Sequence, residues 1–270
     1  MTLGGNVTST AGDANLTSTG GAIDFSGNTI QASTLTLSTS ADIGTALNLV
    51  STVVDSLVLS NLGGAAYISN TLNTLTSLLV SGTVNSDLEI VNSGGGISLA
   101  GNLSSTTGDV ILTSVGGVID LGVHDLLATS GNVNLTASGL SGGAGHSIQT
   151  NVLTLSSSGA VGSAETDIET QATSLVLSNL GGATYLNNTS GALSVSGTGT
   201  FGGIFDLENS DNISTTSALQ SSGDFNLTTG GALGLGNTVT STTGNVNLTS
   251  TGNMTLGGNV TSTAGDANLT

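Results

Sequence analysis

The chain has 270 residues with no Lys, Arg, Pro, Cys or Trp, against 42 Gly, 17 Asp and Glu, and a formal charge of −17. Without cations it has nothing to neutralise nucleic-acid phosphates or to be drawn to anionic lipid, and without cysteines no disulfide can staple it. Hydrophobic residues still make up 36% and charged residues only 6%, which is not the balance of a disordered chain, and no apolar run reaches the ~18 residues of a membrane span.

Residues 1–17 read MTLGGNVTSTAGDANLT, and the same seventeen residues return at 254–270, 253 positions on. Met1 therefore aligns with the interior Met254, no signal peptide is visible, and the chain reads as an excerpt of a longer tandem array. Along it, apolar residues alternate with polar ones: Leu35 and Leu37, Leu57 and Leu59, Val133 and Leu135, Leu153 and Leu155, Val246 and Leu248. Alternation of this kind predicts half-buried strands, punctuated by Gly, Asn and Asp turns such as Ser26-Gly27-Asn28. Ser56–Tyr67 returns almost unchanged as Ser174–Tyr185, 118 residues on, as Ile30-Gln31 does at Ile148-Gln149; Asp87-Leu88-Glu89 returns as Asp206-Leu207-Glu208 at an offset of 119. The 253-residue unit thus holds two half-repeats, about 12–130 and 131–253.

A finer period is near 21. Gly-[Asp/Asn]-x-x-Leu-Thr starts at Gly12, Gly108, Gly131, Gly223, Gly244 and Gly265. The central leucines run Leu16, Leu37, Leu59, Leu112, Leu135, Leu155, Leu177, Leu227, Leu248 and Leu269, mostly 20–23 apart, with gaps of 53 and 50 residues after Leu59 and Leu177. Each gap accommodates two long turns or three short ones. Such a period signals a solenoid. The fold expected is all-β: a single β-solenoid over 1–270, read as a right-handed parallel β-helix, with three short strands in each rung of about 21 residues. Eleven to 13 rungs at ~4.8 Å give roughly 50–65 Å per unit. Leu227, Leu248 and Leu269 are expected to stack inside, and Asn226, Asn247 and Asn268 to form an amide ladder. Asp224, Asn245 and Asp266 share a turn position, where the interleaved Asn spaces the two charges.

Acidic clusters are the only candidates for catalysis: Asp87 with Glu89, Asp120 with Asp125, Glu165 with Asp167 and Glu169, and Asp206 with Glu208. A glycosidase needs two carboxylates about 5–10 Å apart; these clusters read instead as a solvated outer face, and no catalytic residue is assigned. No cofactor is expected. Calcium suits carboxylate oxygens, but the tandem Gly-rich calcium nonapeptides are missing, so Ca²⁺ is expected as a non-specific counter-ion with Asp224 and Asp266 as weak diffuse-cation candidates. His124 and His146 are expected at the surface or in turns. Asn-x-Ser/Thr triplets follow from the alternating strands. Thr8/Thr10, Thr34/Thr36 and Thr238/Thr240 are scattered rather than aligned rung after rung, as ice binding would need.

The Gly-Asn/Asp-Val-x-Leu-Thr strands, the Gly-Gly-x-Ile-x-Leu segments and Ala41-Asp42-Ile43-Gly44-Thr45 followed by Asn61-Leu62-Gly63-Gly64-Ala65-Ala66-Tyr67 resemble the repeat regions of filamentous-haemagglutinin-like exoproteins. The resemblance covers nearly the whole chain. It implies a right-handed β-helix exported by two-partner or autotransporter-type secretion from a bacterium, and carries over no functional residue. The expected function is a non-enzymatic structural repeat of a secreted surface or matrix fibre. Its expected partners are further copies of itself, end to end and laterally, with a cell surface or glycans as a possible contact, and neither nucleic acid nor membrane insertion. The alternatives are the stalk of an adhesin whose binding tip lies elsewhere, a carbohydrate-active β-helix enzyme and an ice-binding solenoid.

Overall fold

The computed structural model describes residues 1–72 and 77–270. Every regular element among the described residues is a β-strand. The chain divides into two compact units, Met1–Ser138 and Gly139–Thr270. Both are β-solenoids of parallel stacked coils, together about 12 turns at a spacing of about 21 residues.

The second unit shows the coil in its simplest form. Phe225–Thr229, Leu233–Leu235 and Val239–Ser241 are the three short strands of one coil. Each pairs in parallel with its counterpart in the next: Phe225 with Val246, Leu233 with Met254, Val239 with Val260. Alternate residues point inward, so Phe225, Leu227, Leu233, Leu235 and Val239 are buried, while the intervening Asn226, Gly234 and Thr240 are only partly covered. Period-two burial on one face is what the alternating pattern dictates. The Phe205 and Phe225 rings stack on adjacent coils with centroids 5.0 Å apart, and Phe201 lies 4.8 Å from Phe205. A tube this narrow is filled by Leu, Val, Ile and these rings.

Each unit also has longer strands that serve two faces, such as Ile30–Thr39 in the first and Ile168–Ser178 in the second. Within Ile30–Thr39, Ile30 pairs with Thr52 on one face and Leu35 with Leu57 on the next. Val50–Leu62 continues the pattern, pairing its start with Ala66–Thr71 and its end with Ser77–Val84.

The register corrects two sequence-based assignments. Leu59 and Leu112 do not belong to one column. One column runs Leu16, Leu37, Leu59, Gly82, Leu103, Leu126; another runs Val50, Ile68, Ile90, Leu112, Leu135. The same crossing occurs in the second unit: Leu177 continues to Gly197, whereas Leu227, Leu248 and Leu269 descend from Ile168, Leu186 and Leu207. Both gaps are therefore changes of face, filled by coils of ordinary length; part of the first, 73–76, lies outside the described residues. Inward leucines occur on every face of the tube, so leucine spacing alone cannot tell one face from another. The second correction concerns Asp206-Leu207-Glu208. Tyr67 pairs with Glu89 and Tyr185 with Asp206, so Asp206 corresponds to Glu89, and the matching triplets are offset by two residues, one pleat repeat.

Candidate functional surfaces

Acidic and amide side chains at the turns bond from coil to coil in one direction. The backbone N–H of Asn245 donates to Asp224 Oδ1 at 2.7 Å, and that of Asp266 to Asn245 Oδ1 at 2.8 Å. Asp109 N–H donates likewise to Asp87 Oδ1, Asn132 N–H to Asp109 Oδ1, Ala65 N–H to Asp42 Oδ1 and Ala232 N–H to Asn212 Oδ1. Asp109 sits directly above Asp87, so interleaving with Asn is not required: the N–H from the next coil offsets part of the repulsion between stacked carboxylates. Asp224 holds such a bond, and Asp266 is exposed in the last coil. Among the described residues no three His, Asp or Glu side chains gather as a metal-ligand set.

On the outer face, Asn268 donates to Asn247 and Asn247 to Asn226, both at 2.8 Å, and Asn226 donates to Asp206 Oδ2 at 3.0 Å. Leu227 and Leu248 are fully buried beside this ladder, and Leu269 in the last coil is 41% exposed. A second kind of ladder lies inside the tube. Asn70 and Asn92 are buried. Asn70 Oδ1 accepts from Thr52 Oγ1 (2.8 Å) and Val54 N–H (3.1 Å), and its Nδ2 donates to Val54 O and Asn92 Oδ1. Asn188, 118 residues on, repeats the arrangement with Thr170, Ala172 and Asn209. The signal was available: Ala66, Ile68 and Asn70 share one parity, so an inward Ile68 implies an inward Asn70.

Each half-repeat also carries a short projecting hairpin. Thr45 and Asn48 exchange both backbone hydrogen bonds across Ala46-Leu47, and Ser163 and Thr166 across Ala164-Glu165. Gly44 (φ +69°) and Gly162 (φ +66°) enter these turns in the left-handed region, where a Cβ would also meet the carbonyl of Tyr67 or Tyr185 within 2.8 Å. A groove lies beside each hairpin, about 620 Å³ in the first unit and about 500 Å³ in the second. The two differ in chemistry. The first has the buried Ile23, Phe25 and Val50 beneath it and Leu49, Asp24 and Asp42 on its walls; Glu165, Asp167 and Glu169 line the second. At an offset of 118, Leu47 becomes Glu165, Leu49 becomes Asp167, Ser51 becomes Glu169 and Phe25 becomes Gly143.

His146 lines the second groove at the end of a glycine-rich turn, one of the two positions expected of it, and is only 2% exposed there. Its Nε2 accepts the Glu169 N–H at 3.1 Å, so Nδ1 carries the proton and donates to Gly143 O at 2.5 Å. The ring fastens a glycine-rich turn to the neighbouring strand. His124 is partly exposed in a turn closed by its N–H to Leu121 O.

The other acidic clusters serve mainly as acceptors. Tyr67 Oη donates to Asp87 Oδ2, Gly122 N–H to Asp120 Oδ1, and Asn187 Nδ2 to both oxygens of Glu169. Asp125 contributes its backbone N–H to Asn102 Oδ1. Asn187 separates Glu169 from Glu208 in the column. Desolvation, followed by the charges of Asp206, Glu208 and Glu169, raises the Asp167 carboxyl above its ordinary pKa. Burial, then the bond to Asp87 and the nearby carboxylates, raises the Tyr67 phenol. The threonine pairs stand in mixed columns: Thr240 between Gln220 and Thr261, Thr8 below Gln31. Comparison with protein-family models, curated proteins and solved structures returns no match to the chain.

Proposed function

We propose that this chain is a structural repeat whose coils stack into a long fibre, with no catalytic role. One observation carries the reading. Residues 1–17 pair with the coil that follows them, through Val7 with Ile30 and Leu16 with Leu37. The identical residues 254–270 pair with the coil that precedes them, through Val260 with Val239 and Leu269 with Leu248. One coil sequence is thus seen using each of its two edges, which is what a unit needs to join a further copy by the bonds used everywhere else in the solenoid. Stability then accumulates through contacts between neighbouring coils, and the winding is right-handed, the hand favoured for parallel connections.

The fibre is extracellular, on a bacterial surface or in a matrix, and is the kind of repeat that filamentous-haemagglutinin-like exoproteins carry. Its lack of Lys and Arg leaves trypsin-like proteases no cleavage site, and its carboxylates keep it hydrated, with Ca²⁺ acting as a counter-ion. Chains of two, three and four 253-residue units, measured by electron microscopy or small-angle scattering, test the reading. About 12 turns at ~4.8 Å each make every added unit lengthen the particle by roughly 58 Å. Beads of constant size or collapsed particles would refute it. Immunogold labelling of the source cells outside the envelope tests the location.

A further inference from the structure

Histidine is the side chain that ordinarily changes charge between pH 5 and 8, and His146 sits inside the fold, 2% exposed. Its ring stands between the turn 142–145 and the strand Ile168–Ser178. Both nitrogens are engaged: Nδ1 donates to Gly143 O at 2.5 Å, and Nε2 accepts the Glu169 N–H at 3.1 Å. Gly142 is packed so closely that a Cβ there would meet the ring at 2.5–2.7 Å. The turn is otherwise loosely closed. Its own backbone bond, His146 N–H to Gly143 O, is 3.4 Å long, against 2.8 Å for the corresponding Asn28 N–H to Phe25 O in the first half-repeat. The ring is therefore the main fastening of this turn, and it fastens only while neutral. A proton on Nε2 turns an acceptor into a donor, which then faces the Glu169 N–H with no acceptor between them.

We propose that His146 is an acid-released latch: the neutral ring holds the turn 142–145 against the next coil, and the protonated ring leaves its seat for the carboxylates of the adjoining groove. Glu165, Asp167 and Glu169 line that groove together with His146, and Asp206 and Glu208 stand near enough to act on Asp167. His124 and Asp125 precede the latch by about one period in the chain, and Gly142-Gly143-Ala144-Gly145 and Ser147 bring no charge to it. The groove thus offers an imidazolium the charge-assisted acceptors that its seat, made of N–H and glycine, does not. Departure of the ring frees Gly143 O and opens the Glu169 N–H to water.

The first half-repeat supplies the contrast. At an offset of 118, His146 becomes Asn28, Glu165 becomes Leu47, Asp167 becomes Leu49 and Glu169 becomes Ser51. Asn28 donates from Nδ2 to Leu3 O at 2.9 Å, and an amide gains no proton in this pH range. Histidine and these three carboxylates enter one half together and are replaced together in the other, so only the second half-repeat answers acid. The latch does not rest on the fibre reading; in a tandem array it recurs once per 253 residues.

Amide hydrogen exchange of the 270-residue chain, followed by NMR at pH 8 and pH 5 and expressed as protection factors so that the intrinsic pH dependence divides out, tests the latch. Protection of the Glu169 amide is expected to fall by about tenfold at pH 5, the worth of one hydrogen bond. The Ala172 amide, bonded to Asn188 Oδ1 in the same strand, should keep its protection. Long-range proton–nitrogen spectra should show His146 protonated on Nδ1 alone at pH 8 and on both nitrogens at pH 5. His146→Asn, copied from Asn28, should remove the pH dependence, and Glu165→Gln with Asp167→Asn should shift the loss of protection to lower pH. Equal protection of Glu169 at the two pH values overturns the proposal, whether the ring stays neutral or is charged in its seat. So does an Nε2–H tautomer at pH 8. Loss of protection at Ala172 together with Glu169 is general acid unfolding and overturns it as well.

Discussion

Asn247 donates from Nδ2 to Oδ1 of Asn226 at 2.8 Å, while Asn226 donates in the same sense to the carboxylate of Asp206. An ionised carboxylate only accepts, so Asp206 fixes the orientation of the first amide and each amide orients the next. Replacing Asn247 by Asp sets an acceptor against Asn226 Oδ1, and Asn226 cannot turn to meet it without losing Asp206. The cost expected is about 1–2 kcal/mol. Asn247→Ala costs less, because it removes the bond without opposing two oxygens. Hydrogen exchange at the backbone amides of 246–249, which reads local opening, distinguishes the two variants.

The buried ladder is under stricter constraint. Asn70→Ala leaves the Val54 N–H, the Val54 carbonyl and the Thr52 hydroxyl without their partner in a site that water does not reach. The loss expected is about 3 kcal/mol or more, read as a lower urea midpoint, and Asn188→Ala should match it through Thr170 and Ala172.

Thr184 presents the opposite case. It is fully buried, its Oγ1 has no hydrogen-bond partner, and its counterpart 118 residues earlier is Ala66. Thr184→Val keeps the volume and removes the unpaired hydroxyl, so stability rises by about 1 kcal/mol. A fall in thermal midpoint would mean that the hydroxyl is bonded in solution.

Asp167 links the acidic groove to pH. Desolvation and the charges of Asp206, Glu208 and Glu169 raise its folded pKa above the ordinary 3.8. A carboxyl raised on folding binds its proton more tightly in the folded state. Its contribution is therefore fully present below the unfolded pKa and is lost as pH rises through the higher folded value. Asp167→Asn should accordingly stabilise the chain at neutral pH and flatten that part of the stability profile. Carbon-detected NMR titration of the Asp167 carboxyl should place its midpoint above that of a free aspartate.

The fold was legible in the sequence because a solenoid writes its period directly: Leu227, Leu248 and Leu269 are 21 apart and do stack. The outer amides were legible for the same reason, since Asn226, Asn247 and Asn268 occupy one phase of one strand. Which leucines share a column was not, because inward residues on three faces look alike until the turns between them are placed. The turn position of His146 was legible but its burial was not, because that depends on Glu169, a strand away, whose N–H meets the ring.

Register itself makes a decisive test. Phe225 pairs with Val246, Leu233 with Met254 and Val239 with Val260, each 21 residues on. Deleting 225–245 therefore removes one complete coil and sets Val246 above Phe205, inward on inward. The shortened chain should keep its strand-type circular dichroism and unfold cooperatively, with a urea m-value lower in proportion to the surface of one coil. Deleting 225–246 instead puts Asn247 at the inward position of Phe225 and turns Leu248 toward solvent. Because the side-chain period along a strand is two, that single extra residue inverts every following position of the strand. This second deletion should lose its folded spectrum beyond residue 224, as limited proteolysis with an acid-specific protease would reveal. Equal stability of the two deletions would mean that the coils do not stack in the register described.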